Sequence, residues 1–171
     1  VLSAYSSSVI NLSNHFTTSL GITAQYFTLN KNWTVEPRAA LKWTFNPKHA
    51  LALAYGLHSR RERLDYYFVE QEVNGKTESN RYLNFSKAHH FGLTYDWNIN
   101  SYMHLKVEPY YQYLFRIPVE ENSSFSIINH QSFYLERILK NRGSGVNYGI
   151  DITLEQYMKN GFYYMITASL F

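Results

Sequence analysis

Cysteine is absent from the 171 residues, which removes disulfide frameworks, thiolate metal sites and thiol nucleophiles together and leaves the redox compartment unspecified. Charge is scarce as well: Asp, Glu, Lys and Arg make up 17% of the chain, below the roughly 25% usual for globular domains. No run of about 18 apolar residues occurs, so no transmembrane helix is encoded. Val1 opens directly into strand-like sequence with neither an initiator Met nor a signal peptide, so the chain is expected to be a piece of a longer one. Basic residues are scattered except at Arg60, Arg61 and Arg63, for a net charge of +3 and a pI near 9.0. Without a bunched basic stripe, nucleic acid is not an expected partner. A Gly-rich phosphate loop, a zinc motif and a Gly-x-Ser-x-Gly elbow are also missing.

Aromatic residues, in contrast, are abundant: 16 Tyr and 11 Phe help bring the aromatic share to 18%. They fall in a period of two. From 50 to 58, Leu51, Leu53, Tyr55 and Leu57 alternate with Ala52, Ala54, Gly56 and His58. From 34 to 45, Val35, Pro37, Ala39, Leu41, Trp43 and Phe45 alternate with Glu36, Arg38, Ala40, Lys42 and Thr44. The same alternation marks 16–26, 90–98, 105–115 and 146–155, and more loosely 2–12 and 162–171. Successive strand side chains point to opposite faces, so the pattern predicts eight β-strands, most of about 10 to 14 residues, roughly twice the usual globular length.

The connections alternate in length. Short turns rich in Asn, Pro and Gly fall at 13–14, 46–49, 98–101 and 159–161, as tight hairpins require. Between them lie a modest loop near 30–32 and long loops over about 60–88 and 118–145. An all-β antiparallel up-and-down meander with short turns on one edge and long loops on the other fits part of a transmembrane β-barrel. Its aliphatic and aromatic face is then expected to meet lipid, and its Lys106 and Glu108 face a wet lumen, because a midplane Lys against lipid costs about 2–4 kcal/mol. Trp43, Phe45, Trp97, Tyr26 and Phe16 stand near strand ends, where interfacial aromatic girdles belong. A soluble barrel or sandwich alternates in the same way with the faces reversed. Pro109 resists the pattern, since a mid-strand proline leaves a ladder acceptor without its donor.

Four blocks carry a resemblance: VEPRAALKWTFNPKHALALAYGLHS (35–59), LNFSKAHHFGLTYDWNIN (83–100), LKVEPYYQYLFRIPV (105–119) and GSGVNYGIDITLEQYMKNGFYYMITASLF (143–171). In order and spacing they resemble the barrel of TonB-dependent outer-membrane receptors of the Bacteroidetes type, over nearly the whole chain. The resemblance implies one partial barrel segment, 1–171, with no plug domain. It implies import across the bacterial outer membrane, with lipid and lipopolysaccharide around the wall, a small nutrient as ligand, and the TonB complex acting through a plug that this chain does not contain. Relatives of that family continue past the position of Phe171, so truncation is expected there, although a terminal Phe is also what barrel assembly reads. The second reading is a self-contained eight-stranded outer-membrane barrel serving as an adhesin or binding protein.

No catalytic, cofactor or metal site is expected. Glu36, Arg38, Lys42, Lys106, Glu108, Asp151 and Glu155 are read as lumen-facing charges, and their spacing sets no nucleophile beside a base. The rim arginines Arg60 and Arg61 suit lipopolysaccharide phosphate or an anionic substrate, though a solvated rim is the simpler expectation. In the long loops, Tyr66, Tyr67, Phe68, Phe133 and Tyr134 are candidate ligand contacts, set against loops that pack on themselves. His89 and His90 are adjacent in a strand, so their rings point apart and do not share a metal ion.

Overall fold

The computed structural model describes residues 1–73, 75–130 and 134–171. Eight long strands form one antiparallel sheet: β1 (Leu2–Asn11), β2 (Phe16–Phe27), β3 (Asn32–Asn46), β4 (His49–Arg60), β7 (Ser86–Asn100), β8 (Met103–Glu120), β9 (Leu139–Lys159) and β10 (Phe162–Leu170). They pair in chain order, leaving β1 and β10 as edges, and β5 (Glu70–Val73) and β6 (Lys76–Ser79) make a separate hairpin inside the first long loop. The eight expected strands are all present. β8 and β9 run further toward the long loops than the alternation indicated, and that first loop holds ordered structure where only loop was expected.

Turn chemistry closes one end of the sheet. Asn160 and Gly161 both have positive φ, 54° and 78°, the conformation of a two-residue hairpin whose twist matches its strands, and glycine enters it without steric cost. Pro109 is also accommodated. It pairs with Ile150 on the β9 side, whereas toward β7 the ladder breaks between Gly92↔Tyr110 and Tyr95↔Val107. In that gap Thr94 Oγ1 donates 3.2 Å to Glu108 Oε1, so a side-chain bond bridges the stretch where proline has no N–H to give. Pro37 lies one residue beyond Arg38, where pairing to β4 ends.

Register carries the alternation across the sheet. On one face Leu41, Leu53 and Leu93 stand side by side, as do Tyr55, Phe91, Tyr111 and Tyr148. These side chains are uncovered: Leu53 is 60% exposed and Tyr148 68%. Contiguous exposed apolar residues of this kind mark an interaction or membrane surface. The buried core lies elsewhere, at the long-loop end, where Tyr66, Tyr67, Leu83, Ile127 and Leu135 from the loops pack on Phe27, Phe85, Ile117 and Leu139. Leu51, Leu105 and Ile150 take no part in that core, so the reversed arrangement of a soluble barrel with a dry centre is not what the chain adopts.

Candidate functional site on the polar face

The opposite face carries the polar members of every strand. One cross-strand row reads Ser7, Gly21, Arg38, Gly56, His90, Gln112 and Asn147 from β1 to β9. A cleft of about 480 Å³ lies over it, bordered at once by Ser7 of β1 and Gln112 of β8. In a flat sheet five interstrand steps of about 4.8 Å would hold those residues about 24 Å apart, so the sheet curls around this face. Gly21, Ala40, Ala54, Gly56 and Gly92 keep the floor of the cleft low. Arg38, His58, His90, Tyr110 and Gln112 supply its functional groups.

Two residues before Arg38, toward the long loops, Glu36 is buried at 2% exposure. Its carboxylate accepts from Gln25 Nε2 at 2.6 Å, from Arg38 at 3.0 Å and from the Ser59 hydroxyl. A buried charge survives only when its lone pairs are filled in this way. Glu36 thus lies on the expected face but is sealed, and it positions Arg38 rather than meeting solvent.

Toward the short turns the same face carries an ionic layer. Lys106 Nζ is 2.8 Å from Glu108 Oε1, two residues along one strand, and His104 Nε2 is 3.1 Å from Asp96 Oδ1. Register sets Asp96 opposite Lys106, Asp151 opposite Glu108 and Glu155 opposite His104. Lys42 borders the same small pocket as Asp96 and His104. All seven expected lumen-side charges therefore share one face. Ion pairing accounts for Lys106 and Glu108, although such half-exposed pairs contribute little stability, about 0–1 kcal/mol.

The loop candidates divide. Tyr66 and Tyr67 are buried, the latter at 1% exposure, and Tyr67 receives the Glu62 N–H at 3.2 Å and packs edge-on against Phe27. As ligand contacts they are corrected: their rings are core of the loop layer, because two long loops of mixed polarity gain more by burying aromatics against each other than by presenting them to water. Burial also raises the Tyr67 hydroxyl above its ordinary pKa. Phe68 is exposed and Tyr134 is 84% exposed. Phe133 lies outside the described residues. Arg60 is 3.5 Å from the buried Glu62 carboxylate, and Arg61 donates to the Glu62 carbonyl at 3.4 Å. Both border a groove with Tyr66, Ile127 and His130.

The sequence did not single out His58, Tyr110 or Gln112. His89 and His90 do point apart: His89 meets Tyr55 and Phe115 on the apolar face, and His90 meets His58 on the polar one. Partnership between His58 and His90 depends on strand register, which alternation within one strand does not encode. Among the described residues no group of three or more His, Asp or Glu side chains is placed to hold a metal ion.

Long strands with an uncovered apolar face, a curled polar face and a packed loop layer at one end define a piece of β-barrel wall. No protein-family model and no curated protein matches the chain by sequence. Solved structures do match its fold. The FrpB iron transporter of Neisseria meningitidis aligns at TM-score 0.64 and 12% identity in its F5-1 apoprotein form, over 98% of this chain and 25% of that one. Its F3-3 variant gives 0.64 and 11%, over 98% and 24%. The ferric-catecholate import receptor Fiu of E. coli K12 gives 0.67 and 9%, over 98% and 27%. The chain therefore shares the fold of a β-barrel segment with these proteins, and it spans about a quarter of their length.

Proposed function

We propose that this chain forms part of the wall and outer loops of an outer-membrane importer, energised through TonB, that takes up a scarce small nutrient. The segregation of the two faces over eight long strands carries the reading: the uncovered leucines and aromatics suit acyl chains, while the charges and the cleft suit a hydrated passage. The matched structures, an iron transporter and a ferric-catecholate import receptor, support it at the level of fold. The four sequence blocks 35–59, 83–100, 105–119 and 143–171, taken together, favour a receptor of the Bacteroidetes type. In this reading the loop layer faces the outside of the cell, lipopolysaccharide surrounds its rim, and Phe68 and Tyr134 are the candidate loop aromatics that stand exposed on it.

Two measurements test it. Cysteines at Phe68 and Tyr134 are expected to react with a membrane-impermeant maleimide on intact cells, and deleting the gene is expected to abolish saturable uptake of one nutrient among iron chelates, cobalamin, glycans and peptides. That uptake should collapse when the proton-motive force is dissipated. Loops reachable only after lysis, or uptake of all four classes unchanged by deletion, would refute the proposal.

A further inference from the structure

We infer that His58 and His90 form a two-imidazole site for a late divalent transition metal on the cleft wall, with Cu²⁺ as its tightest occupant. The inference deepens the reading above, because it rests on this face being wetted. The geometry begins with Gly56, which stands directly opposite His90 in the ladder, while His58 lies two residues further along β4. Diagonal neighbours of this kind are ordinarily some 7–8 Å apart. Here the His58 side chain leans back over Gly56, so that a Cβ built on the glycine would come within 2.6 Å of His58 Nε2. The missing side chain at position 56 lets the two ring centroids approach to 4.5 Å.

Both rings border the cleft and are only partly covered. The chain has seven histidines. Ring nitrogens of His15, His49, His89, His104 and His130 meet the Thr44 carbonyl, Tyr95, Tyr55, Asp96 and the Tyr134 carbonyl. Among the described residues, His58 and His90 are the two whose ring nitrogens have no hydrogen-bond partner. Near neutral pH imidazole is mostly unprotonated and carries a lone pair suited to Cu²⁺, Ni²⁺ and Zn²⁺, with Cu²⁺ favoured by the Irving–Williams order. The charge next to the rings is balanced, since Arg38 is paired to Glu36 at 3.0 Å. Two protein ligands leave the remaining coordination positions to water or to a chelator, which suits a metal held in transit.

The test is titration of the protein extracted in detergent from outer membranes, in the complete barrel it forms there, with CuCl₂, followed by calorimetry and by electron paramagnetic resonance. Wild type is expected to bind one Cu²⁺ with hyperfine structure from two nitrogens. His58→Gln and His90→Gln should each weaken binding by on the order of a hundredfold, the usual scale for losing the second arm of a bidentate contact. Gly56→Ala keeps both imidazoles but displaces one, and should weaken binding by less than either glutamine variant. His89→Gln and His104→Gln should leave it unchanged. Equal affinity in wild type, His58→Gln and His90→Gln, or a loss confined to His104→Gln, would overturn the site. A cysteine at Gln112 separates this result from the wider reading: if a water-soluble thiol reagent reaches it and copper still fails to bind, the metal site alone falls; if the reagent cannot reach it, the wetted face falls too.

Discussion

At the scale of single residues, asparagine is what joins the loops. Asn80 is buried, donates from Nδ2 to the Arg137 carbonyl at 2.8 Å and accepts the Leu139 N–H at 2.7 Å, so one amide bonds the second loop as a neighbouring strand would. Asn30 and Asn32 both donate to the Leu83 carbonyl, and Asn141 donates to the carbonyls of Asn84 and Arg116. Replacing Asn80 with Ala orphans two backbone groups at a cost of about 1–3 kcal/mol for each one left buried. Asn80→Ala should therefore speed tryptic cleavage at Arg81 and Arg137 in folded protein while leaving amide exchange in β4 and β7 unchanged; equal cleavage rates would refute the staple. A clasp of charges closes the outer end of the same layer, with Glu121 accepting from Lys140 and, at 2.8 Å, from Arg142. The hydrogen bond from Lys140 holds the Glu121 carboxyl below its ordinary 4.5, and the reciprocal bond holds Lys140 above its ordinary 10.5. A lowered acid contributes fully above its unfolded value and is lost as pH falls through its folded one. A raised base contributes fully below its unfolded value and is lost as pH rises through its folded one. The clasp should accordingly be complete between the ordinary values of 4.5 and 10.5, and be lost only as pH falls through the lowered Glu121 value or rises through the raised Lys140 value. A carbon-13 titration of Glu121 should give a midpoint under 4.5 that moves up in Lys140→Ala; a wild-type midpoint at or above that value would rule the clasp out.

At the scale of the strand, the two faces make opposite demands on one kind of substitution. Leu53 stands between Leu41 and Leu93 on the apolar face, whereas its neighbour Ala54 lies between Ala40 and Gly92 over the cleft. Leu53→Arg should lower folding stability in phospholipid vesicles by about 2–4 kcal/mol, the cost of a midplane arginine against hydrocarbon. Ala54→Arg should cost far less, because its guanidinium stays hydrated. Reversible urea unfolding in vesicles measures both, and equal losses would remove the distinction between the faces. This contrast also shows why the strands were legible and much of the site was not. Two solvents, acyl chains and water, impose a period of two on each strand separately, so 16–26 or 50–58 declares itself without reference to the rest of the chain. The loop layer depends on pairs such as Asn80 with Leu139, 59 residues apart, and asparagine reads locally only as a turn former. Burial of Tyr67 and the meeting of His58 with His90 likewise require register and long-range packing. Pro109 was correctly flagged as a fault in the ladder, but only the pairing shows that β9 tolerates it and β7 does not.

At the scale of the whole molecule, what remains open is the pair of edges. β1 is exposed along its full length, and among the described residues neither β1 nor β10 has a partner on its outer side. In hydrocarbon an unsatisfied backbone group costs several kcal/mol, so both edges must be covered wherever the apolar face meets lipid. Pairing β1 with β10 would make an eight-stranded barrel, whose interior is just wide enough for side chains to fill it or for one small ligand. The polar face argues against so narrow a bore. Gly21, Ala40, Ala54, Gly56 and Gly92 cluster at its centre and leave a cleft there, whereas a closed eight-stranded barrel needs large residues at those positions. Arg38, Lys42, Lys106 and the carboxylates of Asp96, Glu108, Asp151 and Glu155 on the same face would also need water that a filled core excludes. The expected arrangement is a wider barrel in which other strands pair with β1 and β10, in keeping with matched structures about four times as long. Cysteine pairs test it, one member at Ser3, Ser7 or Asn11 and the other at Met165, Thr167 or Ser169, all on the polar face. In outer-membrane vesicles no such pair should close within one chain on oxidation, while outward amides of β1 and β10 should exchange as slowly as those of β4. Ready disulfide formation in any of these pairs would show the small closed barrel, and with it a binding protein or adhesin in place of an importer.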